Sequence, residues 1–441
     1  MIVMKFGGSS VANREQIEKV LAIVASRAGQ RPVVVSSAHK GITDGLINAA
    51  VAAAEGADPD HSVIARQRAI AESMGCAPDL LEPLFGEIRD LLRGIQLVGE
   101  LSPRSLDYIS SFGERMSVRV IADFFHRQGV NARAYDTWAL GFRTDDNFGR
   151  ARPVPGYGEQ LRQTFAEVIP SDVIPVVTGF VGKNAKGEIT TLGRNGSDLT
   201  ATLFGTALRA EEVQIWSDTN GVMTADPGLV GGAQSIPTMR FDEAAELAYF
   251  GSRVLHPATL IPAIEGNIPV RVLNTNRPDH PGTVISARPA PKAEPVTSIA
   301  YKEGQTVVTI RDPLMFEEVG FLARAFTVLS NHGVVVDMVA TSEVSVSVTS
   351  HDGDALRRAL DDLQPLGQVE LLTGKTILAV VGRNIHGAKG IGARVMKAIA
   401  AADVNVLMHS FGMSSNNMSL VVDDSDIERA VKSLHAELFE G

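Results

Sequence analysis

The sequence predicts a layered α/β domain with a mostly parallel sheet, followed by two small βαββαβ modules. Three observations carry this. From residue 1 to about 285, continuous apolar runs alternate with stretches of helical periodicity, as expected of strands buried between helices. Residues 287–295 (ARPAPKAEP) interrupt that pattern with proline and alanine. Beyond them the signals for strand, helix, two strands, helix and strand recur, an internal repeat of weak sequence identity.

Taken in order, residues 2–4 form an apolar strand, followed by Lys5, the glycines Gly7 and Gly8, and a helical pattern over about 13–28. Further strands are predicted at 31–37, 173–180, 212–217 and 269–273, and helices at 197–208, 241–249 and 259–265. Residues 45–130 read as a mainly helical lobe inserted in the first domain. After the break, the first module takes a strand at 306–310, a helix at 316–329, strands at 334–340 and 344–350, a helix at 354–363 and a strand at 369–372. The second takes a strand at 376–381, a helix at 391–402, strands at 404–410 and 418–422, and a helix at 424–438. It runs out of chain before its last strand, and an unpaired sheet position is a liability. The two modules are therefore expected to share or interleave strands. The domains are drawn at 1–286, a linker at 287–300, then 301–374 and 375–441.

Composition narrows the function. A chain of 441 residues with 44% hydrophobic and 21% charged residues has the makings of an ordinary soluble globular protein. Its net charge of −10 argues against a nucleic-acid or anionic-membrane surface. The single Cys76 excludes an intrachain disulfide and fits a reducing compartment. No apolar run approaches the length of a membrane span, and the N-terminus lacks the layout of a signal peptide. A cytoplasmic location is expected.

The polar motifs sit where strands should end, which is where such sheets bind ligands. Lys5-Phe6-Gly7-Gly8-Ser9-Ser10 places a cation beside a glycine turn between strand and helix, an arrangement suited to phosphate. The lysine precedes the glycines, so this is not a Walker loop. Residues 37–43 (SAHKGIT), with Ser37 and Thr43, offer hydroxyls to a small polar ligand. Glu114 and Arg115 lie side by side in a helical region, either as a solvated surface pair or with Glu114 turned into a cleft to bind an ammonium group. In residues 190–198 (TTLGRNGSD), Ser197 reads as a helix N-cap and Asp198 as a first-turn acid. Capping leaves Arg194 unexplained, and a guanidinium beside a glycine loop suits a carboxylate. Asp198 has a second reading, as a Mg²⁺ ligand or a group that orients a phosphoryl acceptor. Ser217, Asp218 and Met223 fall in a turn-rich loop after a strand, and Arg253 adds a cation farther along. His256 reads as structural. This inventory suits transfer of a phosphoryl group to a small zwitterion.

KFGGSSV at 5–11, the 37–43 loop, GERMS at 113–117, NFGRARP at 147–153, TTLGRNGSD at 190–198 and FGSRVLHPATL at 250–260 resemble the motifs of aspartate kinases over nearly the whole chain. Residues 320–322 and 336–346 resemble the first ACT domain of the lysine-sensitive, monofunctional members. The resemblance implies an amino-acid-kinase domain and two ferredoxin-like ACT domains. It implies ATP-dependent phosphorylation of L-aspartate to 4-phospho-L-aspartate, the first step toward lysine, threonine and methionine. Carried onto this chain, it implies that Lys5 stabilises the transferring group while Gly7, Gly8 and Ser9 cradle phosphates. Ser37, Thr43, Glu114, Arg194 and Ser197 would bind aspartate. Asp198 would organise Mg²⁺ and the reacting groups, and Ser217, Asp218, Met223 and Arg253 would line the ATP site. Met315, Glu318, Phe321, Leu322, Val336, Asp337, Ser342 and Glu343 match the effector pocket, for lysine or alternatively threonine. ACT pairing implies a homodimer. Met223 stands where many members carry Tyr, Gly228 where Arg is usual, and Arg253 where Lys is usual. The alternatives are a kinase of another amino acid, such as glutamate, and a non-catalytic amino-acid sensor.

Overall fold

A computed structural model of the chain describes all residues except 59–60, 252–254, 291–293, 317, 413–415 and 441. The chain packs as two compact units. The first comprises Met1–Val222, Pro237–Phe241 and Val254–Pro289, and the second Met223–Ile236, Asp242–Arg253 and Ala290–Gly441. Residues 223–236 and 242–253 thus group with the second unit, whereas a boundary at residue 286 assigns them to the first domain.

The first unit is built on β1 (Ile2–Phe6), β2 (Pro32–Ser36), β3 (Ala132–Tyr135), β4 (Ile174–Thr178), the small hairpin β5 (Val181–Lys183) and β6 (Ile189–Thr191), β7 (Glu212–Ser217), β8 (Thr238–Arg240), β9 (Val270–Asn274) and β10 (Thr283–Ser286). Eight of these form one sheet in the order β3-β4-β2-β1-β7-β9-β10-β8. Every pair is parallel except β9 with β10. The central strands β1 and β2 are buried at every residue, as their unbroken apolar runs require. Phe6 pairs with both Ser36 and Trp216, and Thr178 with Ser36, so the strands end level. The loops at 7–10, 37–41, 179–180, 217–222 and 275–277 therefore leave one edge of the sheet together.

Helices α1 (Arg14–Ala25), α2 (Ile42–Ala54), α3 (Ser62–Ser73), α4 (Glu82–Val98), α5 (Pro103–Arg127), α6 (Tyr157–Val168) and α7 (Gly196–Leu208) belong to this unit. The predicted helical lobe is α2 to α5. α5 is its spine, with buried residues on most of its turns, among them Phe112, Met116 and Ile121. The N-terminus of α1 is capped by the Asn13 side chain, which accepts a hydrogen bond from the Gln16 amide at 3.1 Å. α8 (Phe241–Tyr249) lies in the second unit from Asp242 onward, and α9 (Pro257–Gly266) in the first. His256 caps α9, its Nδ1 accepting from the Ala258 amide at 3.2 Å, which is a structural role.

In the second unit, β11 (Ser298–Arg311), α10 (Phe321–Asn331), β12 (Met338–Thr341), β13 (Ser345–Ser350), α11 (Gly353–Leu363), β14 (Gln368–Val381), α12 (Ile391–Ala401), β15 (Met408–Ser410), β16 (Asn417–Asp423) and α13 (Ile427–His435) form a six-stranded sheet and its helices. The strand order is β12-β13-β11-β14-β16-β15, and all pairs are antiparallel. Two strands differ from expectation. Residues 369–372 and 376–381 are one strand, β14, and β11 begins at Ser298, inside the linker drawn at 287–300. Each long strand serves both modules. Gln305–Arg311 pairs with Gln368–Lys375 in the first, and Ser298–Lys302 pairs with Ile377–Val381 in the second. The strand that the second module lacks at its end is thus supplied from before the first. The apolar runs 334–337 and 404–407 precede their strands, and the helix expected from 316 starts at Phe321.

Candidate active site

Lys5 and Asp198 meet at the sheet edge. The Lys5 ammonium lies 2.5 Å from Asp198 Oδ1, with 11% and 9% of the two side chains exposed. Lys5 is on the central strand β1, and Asp198 on the first turn of α7. The helix start that lines the pocket is therefore that of α7, through Gly196, Ser197 and Asp198, while α1 begins beyond the glycine turn with its own cap. Its N-terminal dipole favours an anion beside Lys5. Ser197 is not the cap. Asn195 is, in the left-handed conformation, and Ser197 is the second helical residue.

These residues open into a cavity of about 550 Å³, lined also by Ser37, Thr43, Glu114 and Arg194. The two sequence-based readings of Glu114 now separate. Glu114 and Arg115 are both buried, and Arg115 turns to Glu87 at 3.3 Å. Glu114 Oε1 accepts from the Ala38 amide at 3.2 Å, and Oε2 is buried with no hydrogen-bond partner among the described residues. Burial pushes its carboxyl up to about 8, against the opposing pull of that amide and of Lys5. A buried carboxyl with a spare oxygen facing a pocket suits a cationic guest.

Gly113 makes this approach possible. A β-carbon there would stand 2.7 Å from Ala38 Cβ and 2.8 Å from Thr43 Oγ1, so only glycine lets α5 meet the 37–43 loop. The arginine loop rests on a second glycine, Gly193, with φ +80° and a would-be β-carbon 2.9 Å from the Gly149 carbonyl oxygen. Arg194 itself is exposed at the cavity and pairs with no carboxylate among the described residues.

On the other side of β1, the Gly7 amide bonds to the Trp216 carbonyl at 3.2 Å, and Gly8 lies against the 37–41 loop, its would-be β-carbon 3.1 Å from the Ala38 carbonyl oxygen. Ser9 is half-buried between them and Ser10, whose hydroxyl bonds to Thr275 Oγ1 at 2.7 Å. Ser217 is half-buried at the end of β7, and Asp218 is exposed in the loop that follows. Asn274, at the end of β9, holds that loop through Asn220 Oδ1 at 2.7 Å and the Asp218 carbonyl at 3.3 Å. Met223 belongs to the second unit, where its carbonyl accepts from the Ser298 hydroxyl at 2.7 Å, and Arg253 lies outside the described residues.

The residues matched to an effector pocket divide. Phe321 is core, and Met315 and Val336 pack on the same apolar cluster, while Leu322 is exposed. Glu318 pairs with Arg324 at 2.5 Å. Ser342 and Glu343 are exposed in the hairpin between β12 and β13. Asp337 is already engaged: Lys302 at 2.9 Å, the Tyr249 hydroxyl at 2.7 Å and His351 at 3.3 Å surround its carboxylate. Lys302 and the Tyr249 hydroxyl bond hold its pKa below the ordinary value despite burial.

Residues 1–274 match the model of the amino acid kinase family, and residues 378–438 that of the ACT domain. The chain is 38% identical to Aspartokinase 2, chloroplastic, of Arabidopsis thaliana, over 99% of this chain and 84% of that one. The crystal structure of E. coli aspartokinase III in complex with aspartate and ADP (R-state) superposes with a TM-score of 0.80 at 35% identity, covering 100% of both chains. The complex of the same enzyme with lysine and aspartate (T-state) gives a TM-score of 0.78 at 34% identity, covering 100% of this chain and 99% of that one.

Proposed function

The chain belongs to the amino acid kinase family and, within it, to the aspartokinases, and on that premise we propose that the Lys5–Asp198 pocket is where the terminal phosphoryl group of ATP passes to the side-chain carboxylate of L-aspartate. The observation that carries this is the opposition, in one cavity, of a phosphate-seeking lysine and a carboxyl whose free oxygen seeks a cation.

Glu114 takes the aspartate ammonium, and Arg194 clamps a carboxylate, with Ser37, Thr43 and Ser197 at the cavity wall. An oxygen of the remaining carboxylate attacks the γ-phosphorus in line. The new O–P bond forms as the bond to the β-phosphate oxygen breaks, leaving ADP and an acyl phosphate. No proton need move, because the attacking carboxylate is ionised at neutral pH. The protein's share is position and charge. Lys5 leaves Asp198 for the transferring group, and the α7 N-terminus adds its dipole. The ADP end lies across the glycine turn toward Ser217 and Asp218.

Mg²⁺ fits the donor set. No group of three or more His, Cys, Asp or Glu that could cage a metal occurs among the described residues. Magnesium usually takes one or two carboxylates together with substrate phosphates. Asp198 would hold it, and the ion would neutralise phosphate charge.

Feedback control runs through the ACT modules, with lysine as the proposed effector. An effector ammonium at Asp337 must take that carboxylate from Lys302. We further propose a homodimer through the first module, whose edge strand β12 and neighbouring residues expose Leu314, Phe316, Val319, Val335 and Val339. Among the described residues no helix is long and apolar enough to cross a membrane.

A coupled assay of ADP release tests the reading. Turnover is expected with aspartate and not with glutamate, inhibited by lysine more strongly than by threonine or methionine. Lysine binding without turnover of either substrate would instead identify a sensor.

A further inference from the structure

We propose that Asp107 is a positioning residue that sets the arginine loop for the substrate carboxylate. This rests on the reading of Arg194 given above. Asp107, Ser110 and Glu114 follow at intervals of three and four residues, so they share one face of α5, and all three line the cavity. Asp107 is 2% exposed. Its Oδ2 accepts from the Gly149 amide at 2.9 Å and the Thr191 amide at 2.8 Å, and its Oδ1 from the Thr191 hydroxyl at 2.8 Å.

One carboxylate thereby ties two loops to the helix that carries Glu114. Thr191 ends β6 and leads through Leu192 and Gly193 to Arg194. Gly149 supplies the carbonyl against which Gly193 is packed, and the Ala151 amide bonds to the Thr191 carbonyl at 2.9 Å. Arg194 has no ion-pair partner of its own among the described residues, so its backbone sets where its guanidinium starts. The substrate's ammonium is already assigned to Glu114, and its two carboxylates gain nothing from a second negative charge on this face. What the site needs from residue 107 is acceptors for three donors, not charge.

That distinction makes the test. In Asp107→Ala, with both loops released, KM for aspartate should rise by tenfold or more, on the order of one lost hydrogen bond or a small misplacement, with KM for ATP within about twofold. Asp107→Asn should recover most of that loss: its amide oxygen can accept both backbone N–H groups, and the Thr191 hydroxyl can turn to accept from its amide nitrogen. Arg194→Ala should raise KM by itself, and Asp107→Ala should add little on top of it. An unchanged KM in Asp107→Ala overturns the proposal. So does an Asp107→Asn enzyme whose KM for aspartate rises as far as that of the alanine variant, because charge and not the set of acceptors would then be what the site needs. If Arg194→Ala leaves KM unchanged, the underlying reading of the arginine fails first. Should Asp107→Ala not fold, Thr191→Val removes one of the three bonds, and a KM at the wild-type value there counts against the proposal.

Discussion

Lys5→Ala should lose turnover by about three orders of magnitude or more, the scale of removing a preorganised charge from a phosphoryl-transfer site. The ammonium sits on the strand at the centre of the sheet, almost out of solvent, and among the described residues its carboxylate partner is Asp198. Solvent cannot replace it there, and the charge that develops on the transferring oxygens is left uncompensated. KM for aspartate should rise far less than kcat falls, since Glu114 and Arg194 hold the amino acid and Lys5 bears on it through its pull on the Glu114 carboxyl. The fold should persist with a lower melting temperature, because the substitution leaves Asp198 with 9% of its side chain exposed and no counter-charge among the described residues. Steady-state kinetics beside a thermal melt separate the two effects. A folded Lys5→Ala enzyme with normal kcat would remove the phosphate role.

Glu114→Gln should raise KM for aspartate by about 30-fold or more, the loss of a charge-assisted bond in a desolvated place. The same carboxyl makes a pH prediction. Its folded-state value, about 8, lies above the ordinary 4.5 because burial outweighs the Ala38 amide and Lys5. The folded state therefore holds this proton more tightly than the unfolded chain. Its contribution to stability is fully present below pH 4.5 and is lost as pH rises through 8. The glutamine variant carries no such slope, so it should be more stable than the wild type above that pH while binding aspartate worse. With a folded-state value raised by burial to about 8, the free enzyme at pH 7 is expected to hold the proton and an incoming ammonium to expel it. Calorimetry in two buffers of different ionisation enthalpy should show close to one proton released per aspartate bound, and none in Glu114→Gln.

Much of this site is legible in the sequence because its charges sit beside glycines at strand ends. Lys5 before Gly7-Gly8 and Arg194 after Gly193 are local patterns, and the parallel strands fix which edge they share. Burial is not local. The sequence leaves Glu114 open between a surface pair with Arg115 and a cleft acid, because nothing in their neighbours reveals that Gly113 lets α5 press against Ala38 and Thr43. Asp107 carries no signal at all; its meaning lies in amides 42 and 84 residues away. Asn274 is equally silent. Asn195 displaced Ser197 as the cap because a left-handed turn ends the loop, and side-chain capping preference does not report backbone hand. In the second unit, β11 and β14 pass through Gly304 and Gly374, both at positive φ, with shifts in register on either side of Gln305, so that the three strand segments expected at 306–310, 369–372 and 376–381 lie within two long strands shared by both modules. The engagement of Asp337 by Lys302 and Tyr249 joins residues 35 and 88 positions apart, beyond the reach of any motif.

The most direct measurement is a crystal structure with aspartate and a non-hydrolysable ATP analogue. The γ-phosphate is expected against Lys5 Nζ, the aspartate ammonium on Glu114 Oε2 and a carboxylate on Arg194. Nucleotide or aspartate seated elsewhere, with Lys5 still on Asp198, would contradict this assignment.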